Sequence, residues 1–272
     1  MILKRKIYKK LLEWKNECQG KKALLIEGAR RIGKSTICEE FGKNEYESYL
    51  LIDFAKKDKE VEMYFERYLN DLDTFFMLLQ THFGTKLTER NSLIIFDEVQ
   101  MFPQARAAIK YLVADGRYDY IETGSLISIR ENVKNIVIPS EERNINMYPL
   151  DFEEFAIALE EDLLVEYIKK CFEKREPLER SMHNQAMLLF HQYMLVGGMP
   201  MPVVAFIESK KDFTEPDKEK RDILKLYRED IMKIDMRYRS KVLAIYDQIP
   251  GFLSQHEKRV VFKKLQDGSY AD

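Results

Sequence analysis

Ala23-Leu24-Leu25-Ile26-Glu27-Gly28-Ala29-Arg30-Arg31-Ile32-Gly33-Lys34-Ser35-Thr36 is the stretch from which the rest of the chain can be read. Its four leading apolar residues make a short buried-strand run that ends at Glu27-Gly28, and a helical pattern begins after Gly33. Between them, Gly28 to Ser35 fits G-x-x-x-x-G-K-[ST] at every fixed position. Glycines allow loop conformations that other residues resist, so successive backbone N–H groups can turn inward around an anion. The helix that follows points the positive end of its dipole at the same place. Lys34 adds a mobile charge for the outer phosphates, and the Ser35 hydroxyl is hard enough to ligate magnesium. The residues expected to line a bound triphosphate are Gly28, Ala29, Arg30, Arg31, Ile32, Gly33, Lys34, Ser35 and Thr36. A glycine-rich turn with an exposed lysine would fit the same letters, but not their place between a strand and a helix.

Working outward, Tyr49–Asp53, Ser92–Asp97 and Tyr120–Thr123 read as further strands, and Asn135–Ile138 as a weaker fifth. Helical patterns intervene around Val61–Leu69, Asp71–His82 and Pro103–Ala114, the last with proline in its first turn. Strands separated by helices favour a parallel sheet with right-handed crossovers. After Leu150 strand signals fade. Asp151 is an N-cap candidate with Glu154 three residues on, and helices are expected as far as Ile207. Glu208–Lys220 is almost entirely charged or polar, contains Pro216 and reads as a linker or exposed loop. The expected class is therefore α/β: a P-loop NTPase core over residues 1–150, with a parallel sheet flanked by helices, then an all-α lid over 151–207. Residues 208–272 would be a linker and the start of an incomplete helical region.

Composition narrows the functional classes. With 272 residues, 45% hydrophobic and 33% charged, the chain has enough apolar material for a core. The 44 basic side chains nearly balance the 46 acidic ones, so no broad field would gather nucleic acid or an anionic membrane. Local basic clusters at Lys218–Arg221 and Met236–Lys241 read more simply as solvated helix faces, and nucleic-acid binding stays unsupported. Cys18, Cys38 and Cys171 are few, odd in number and far apart, which reads as reduced thiols in a cytoplasmic protein. The N-terminus lacks an apolar run of signal-peptide length; Ile7, Leu11 and Trp14 instead share one helical face. Met187–Ile207 is apolar, but its Gly197-Gly198 pair, Pro200 and Pro202 argue against a membrane span.

Leu93-Ile94-Ile95-Phe96-Asp97-Glu98 is an apolar strand closing on two carboxylates. Asp97 at the strand tip is expected in the shell of a phosphate-bound magnesium. Adjacent strand residues point opposite ways, which leaves Glu98 to orient and deprotonate a water. With the loop and Asp97 at neighbouring strand ends, the tip Thr123-Gly124-Ser125 would approach the terminal phosphate. Thr123 or Ser125 there either senses that phosphate or caps a helix. Arg30, Arg31, Arg130 and Arg143 are candidates for an arginine that stabilises the developing charge.

Taken in order, GARRIGKS, LIIFDEVQ, IETGS, MYPLDFEEF and VGGMP resemble the prokaryotic AAA-superfamily ATPases of the archaeal-ATPase-like group, from about residue 10 to the end. The resemblance implies ATP and Mg2+ as ligands, Gly28, Gly33, Lys34 and Ser35 on the phosphates, Asp97 and Glu98 as the Walker B pair, Ser125 as the polar sensor and Arg143 near the group's arginine. This chain lacks the Gly-Arg that many relatives carry before YPLDFEEF, and Arg31 stands where Gln is common. Relatives usually continue further, which implies a missing C-terminal domain. Read from the residues alone, Tyr148, Leu150, Phe152 and Phe155 dock the helices that follow onto the sheet, and Gly197–Pro200 is a tight turn between helices. The leading expectation is an ATP hydrolase with coupled lid or partner movement. The catalytic set would be Glu98, Lys34, Ser125 and Arg143, with Ser35 and Asp97 at the metal. The alternatives are a nucleotide-dependent switch with negligible turnover and a phosphotransferase. A protein partner or a homo-oligomer would be consistent with either ATP-driven reading.

Overall fold

A computed structural model describes residues 1–125 and 141–254. Five parallel strands form one sheet: β1 (Ala23–Glu27), β2 (Ser48–Asp53), β3 (Ser92–Asp97), β4 (Asp119–Gly124) and β5 (Glu142–Asn146), in the order β2-β3-β4-β1-β5. The three central strands are covered on both faces, which is why β1 and β3 read as unbroken apolar runs rather than alternating ones; β4 buries Asp119, Glu122 and Thr123 beside Tyr120 and Ile121. Ala23, Leu25, Ile94, Phe96 and Tyr120 pack on one face, against helices α3 (Lys59–Tyr68), α4 (Leu72–Phe83) and α5 (Pro103–Asp115). Leu24, Ile26, Leu93, Ile95 and Ile121 pack on the other, under α1 (Ile7–Cys18) and α2 (Lys34–Glu45). Ile7, Leu11 and Trp14 of α1 are all buried there, as their spacing predicts.

The helical part that follows is α6 (Phe152–Ala158), α7 (Asp162–Lys174), α8 (Arg180–Val196) and α9 (Pro200–Glu208). Asp151 caps α6 through a complete capping box with Glu154. The turn between α8 and α9 is built on the segment leaving the sheet: Leu150 N–H donates to the Gly198 carbonyl at 2.6 Å, and Tyr193 Oη donates to the Leu150 carbonyl at 2.9 Å. A Cβ at Gly198 would lie 2.1 Å from the Leu150 oxygen, so only glycine permits this approach. Only one side of the apolar stretch across these helices is core: Leu189, Val196, Val203 and Phe206 are buried, whereas Leu188, Met194, Leu195 and Met201 are exposed. No helix among the described residues is long and apolar enough to cross a membrane. Leu150 and Phe155 are buried in this helical cluster with Phe152 packed against it, whereas Tyr148 is 68% exposed and docks nothing.

Two further expectations are corrected, and one falls outside the described residues. Residues 214–220 are not a loop but the start of α10 (Thr214–Ile231), which is followed by α11 (Met236–Ser254). Its charges are paired along one helix face, as in Asp217–Arg221 at 2.8 Å, while Ile223 and Ile231 turn inward. The fifth strand is the polar segment Glu142–Asn146; the weaker strand read at Asn135–Ile138 lies outside the described residues, as does Arg130. Finally, β1 and β3 are not neighbours: β4 runs between them, pairing Leu25 with Glu122 and Phe96 with Glu122 on its two sides.

Candidate functional site

The strand order puts three tips in a row, with Gly124 of β4 between Glu27 of β1 and Asp97 of β3. The loop Gly28–Gly33 leaves β1 and enters α2, whose N-cap Gly33 is left-handed at φ +89°. Arg31 is also left-handed, at φ +67°, a conformation that costs a side-chain-bearing residue energy and that recurs at functional loops. Gly28 faces the opposite constraint, since a Cβ there would meet the Met147 carbonyl at 2.4 Å and Ile32 Cδ1 at 2.5 Å. Backbone cannot swing aside as a flexible side chain can. Gly28→Ala is therefore expected to lose about 1–3 kcal/mol of stability by overpacking. It should also erase any rise in melting temperature that Mg-ATP gives the unaltered protein; a variant stabilised by nucleotide as strongly as the parent would contradict this.

Lys34 is buried at the mouth of α2, and its ammonium donates to the carbonyls of Gly28 (3.1 Å) and Ala29 (2.9 Å). Burial holds the ammonium below its ordinary titration range, with Glu98 and Asp97 pulling the other way. Ser35 Oγ donates to Asp97 Oδ1 at 2.8 Å, and the Thr123 hydroxyl donates to the same oxygen. Thr123 Oγ1 in turn accepts from the Glu98 backbone N–H at 3.3 Å. One carboxylate oxygen thus ties the helix after the loop to the tips of two other strands. These hard oxygens fit a magnesium ion that takes its remaining ligands from phosphates and water. No group of three or more His, Cys, Asp and Glu side chains among the described residues could hold a metal unaided.

Glu98 follows Asp97 in a left-handed conformation (φ +53°), which turns the chain out of the strand, and its carboxylate accepts from the Gln100 amide. Ser125 directly follows β4. Arg30 does not turn toward Lys34: its guanidinium is held by both Asp230 oxygens of α10, at 2.7 and 2.5 Å, and Tyr227 Oη donates to its carbonyl at 3.0 Å. Arg143 is not brought to the loop within the chain. It pairs with Leu24, three residues short of the end of β1, and its guanidinium bonds Glu17 of α1 at 2.6 Å.

The profile of one family, described as AAA domain, matches residues 20–156, just over half of the chain and the part that carries Gly28–Thr36, Asp97, Glu98, Thr123 and Ser125. The chain belongs to the AAA-domain family. It is an AAA-superfamily P-loop protein. Among solved structures this AAA domain resembles the Aeropyrum pernix ORC1 protein, solved in complex with DNA, with TM-score 0.42 and 10% identity over 97% of this chain and 81% of that one. It also resembles Caenorhabditis elegans PCH-2, with TM-score 0.39 and 9% identity over 75% of this chain and 63% of that one. No curated protein matches. One contributor to the AAA-domain site carries no motif signal: Arg5, 23 positions before Gly28, donates to the Ile32 carbonyl inside the loop.

Proposed function

We propose that this AAA domain binds Mg-ATP at Gly28–Thr36 and hydrolyses it to ADP and phosphate, with movement of the helices after Leu150 coupled to the change. The observation that carries this reading is the double acceptance at Asp97 Oδ1, from Ser35 and from Thr123. It assembles a magnesium-ligating hydroxyl, a carboxylate and a polar strand tip beside a buried lysine. In the reaction Lys34 and the loop amides bind the outer phosphates, and Ser35, with Asp97 behind it, would hold a magnesium ion that would neutralise part of their charge. Glu98 orients a water and takes its proton. Ser125, directly after the β4 tip, reports the terminal phosphate. Arg30 and Arg143 are held by Asp230 and Glu17, and Arg130 lies outside the described residues, so the arginine that stabilises the developing charge would be Arg31 or one supplied by another copy or a partner.

The test is steady-state phosphate release with magnesium, with and without DNA, on the unaltered protein and on Glu98→Gln. Removing a general base costs about 10²–10⁴ in rate, so Glu98→Gln is expected to lose turnover by that factor while binding ATP as before. The Gln100 contact on Glu98 favours a second reading, in which the domain binds nucleotide and switches without turning it over. Unaltered protein that binds Mg-ATP and releases no phosphate under any of these conditions would select that reading.

A further inference from the structure

The Arg5 side chain is 6% exposed, and all three guanidinium nitrogens are used, each toward a different part of the fold. Nη1 donates to the Ile32 carbonyl in the phosphate loop at 3.0 Å, and Nη2 to the Tyr148 carbonyl on the segment leaving β5 at 2.6 Å. Nε donates to Glu154 Oε1 in the first turn of α6 at 3.2 Å. Glu154 is itself fixed: Oε1 also accepts from the Lys6 backbone N–H at 2.6 Å, and Oε2 accepts from the Asp151 N–H at 3.2 Å.

A peptide unit is planar and trans, so the Ile32 carbonyl and the Gly33 N–H point in opposite directions. A donor that holds the carbonyl from outside therefore aims the Gly33 N–H away from itself. We propose that Arg5 is a positioning residue of the phosphate loop, which sets the Gly33 amide for phosphate and ties that setting to the Tyr148–Glu154 hinge of the helical region. This rests on the reading that the loop binds ATP. A guanidinium meets the three separated acceptors through three different nitrogens in one plane; a lysine would keep the charge but, with a single nitrogen, could not span all three. Phosphate contact at the loop and the angle of α6 are thus linked through one guanidinium, so that a shift of the helices is felt at the Gly33 amide.

Titration of the full chain with Mg-ATP, followed calorimetrically, separates this role from a structural one. Arg5→Lys is expected to weaken the dissociation constant by about tenfold or more, with the binding stoichiometry kept. A merely structural role would lower the competent fraction, and so the stoichiometry, and leave the affinity of the folded molecules unchanged. Glu154→Gln retains the capping box and removes the charge that holds Nε. It should weaken binding by about threefold, and little further in the Arg5→Lys background, because residues acting through one contact are not additive. If Arg5→Lys fails to fold, Glu154→Gln decides alone. Parent-like affinity in the folded variants would overturn the role of Arg5 and leave the ATP reading standing; no binding by the unaltered protein would overturn both.

Discussion

Lys34→Ala is expected to abolish nucleotide binding and phosphate release together, the largest functional loss of any single substitution in this chain. The ammonium is buried beside the loop carbonyls, so in the bound state its charge would meet the outer phosphates with little water between them. Truncating one partner of a desolvated, hydrogen-bonded charge pair costs about 2–5 kcal/mol, or about one and a half to three and a half orders of magnitude in affinity. Thermal melts show it directly. At a nucleotide concentration about 100 times the dissociation constant, binding adds about 2.7 kcal/mol to stability, roughly 5–10 °C for a domain of this size. That increment should vanish in Lys34→Ala. Without nucleotide the variant should melt close to the parent, since the ammonium serves only two loop carbonyls there. A variant that kept the ligand-induced shift would mean that nucleotide does not use this loop.

The second large effect lies away from the loop, under α5. Arg106 is 3% exposed and donates to both carboxylate oxygens of Glu142 on β5, at 3.1 and 3.2 Å. Beside them Glu122 of β4 is fully buried, and among the described residues neither of its oxygens has a hydrogen-bond partner. Two carboxyls therefore share one cation. Burial pushes the Glu122 carboxyl well above its ordinary value of 4.5, the Glu142 charge pushes it further, and Arg106 opposes both. Burial raises the Glu142 carboxyl too, but Arg106 bonds Glu142 and no described residue bonds Glu122, so of the two Glu122 is the one held more firmly in its protonated form. Arg106→Met removes the cation, strands a buried carboxylate and is expected to cost about 3–5 kcal/mol, which is roughly 10 °C in melting temperature.

Glu122→Gln should move stability the other way, and with pH. A carboxyl whose pKa is raised by folding binds a proton more tightly when folded than when unfolded. Its contribution is fully present below the ordinary carboxylate range and is lost as pH rises toward the folded value. The amide has no proton to lose, so the advantage of Glu122→Gln should be small at pH 5 and grow by pH 8. Denaturation midpoints measured at both pH values check this. Parallel pH profiles for parent and variant would show that Glu122 is not the proton carrier, and an unchanged midpoint in Arg106→Met would show that the trio is not buried as described.

Most of the core was legible because its signals are local. The runs at Ala23 and Leu93 are apolar on both faces, and with the shorter Tyr120-Ile121 pair they fall in the three strands that are covered on both sides. Asp151 and Glu154 mark the start of α6 with their own side chains. β5 was illegible for the same kind of reason. As an edge strand it needs few apolar residues, and Glu142-Arg143-Asn144-Ile145-Asn146 offers one. Residues 214–220 misled because pairing along a helix face leaves a run of charges, and a loop leaves the same run.

By itself the sequence determined the loop, the acidic strand end and the alternation of strands with helices. Each of these is written within a few neighbouring residues whose backbone geometry and polarity dictate it. Only the tertiary structure decided that β4 stands between β1 and β3, and so that Thr123 and Ser35 meet on one oxygen of Asp97. It alone decided that Arg30 belongs to Asp230, that Arg143 belongs to Glu17, and that Arg5 holds the loop at Ile32. Such pairings join residues up to 200 positions apart. Which charges meet across such distances is set by how the elements pack, and an arginine carries the same local signature whichever carboxylate or carbonyl it finally reaches.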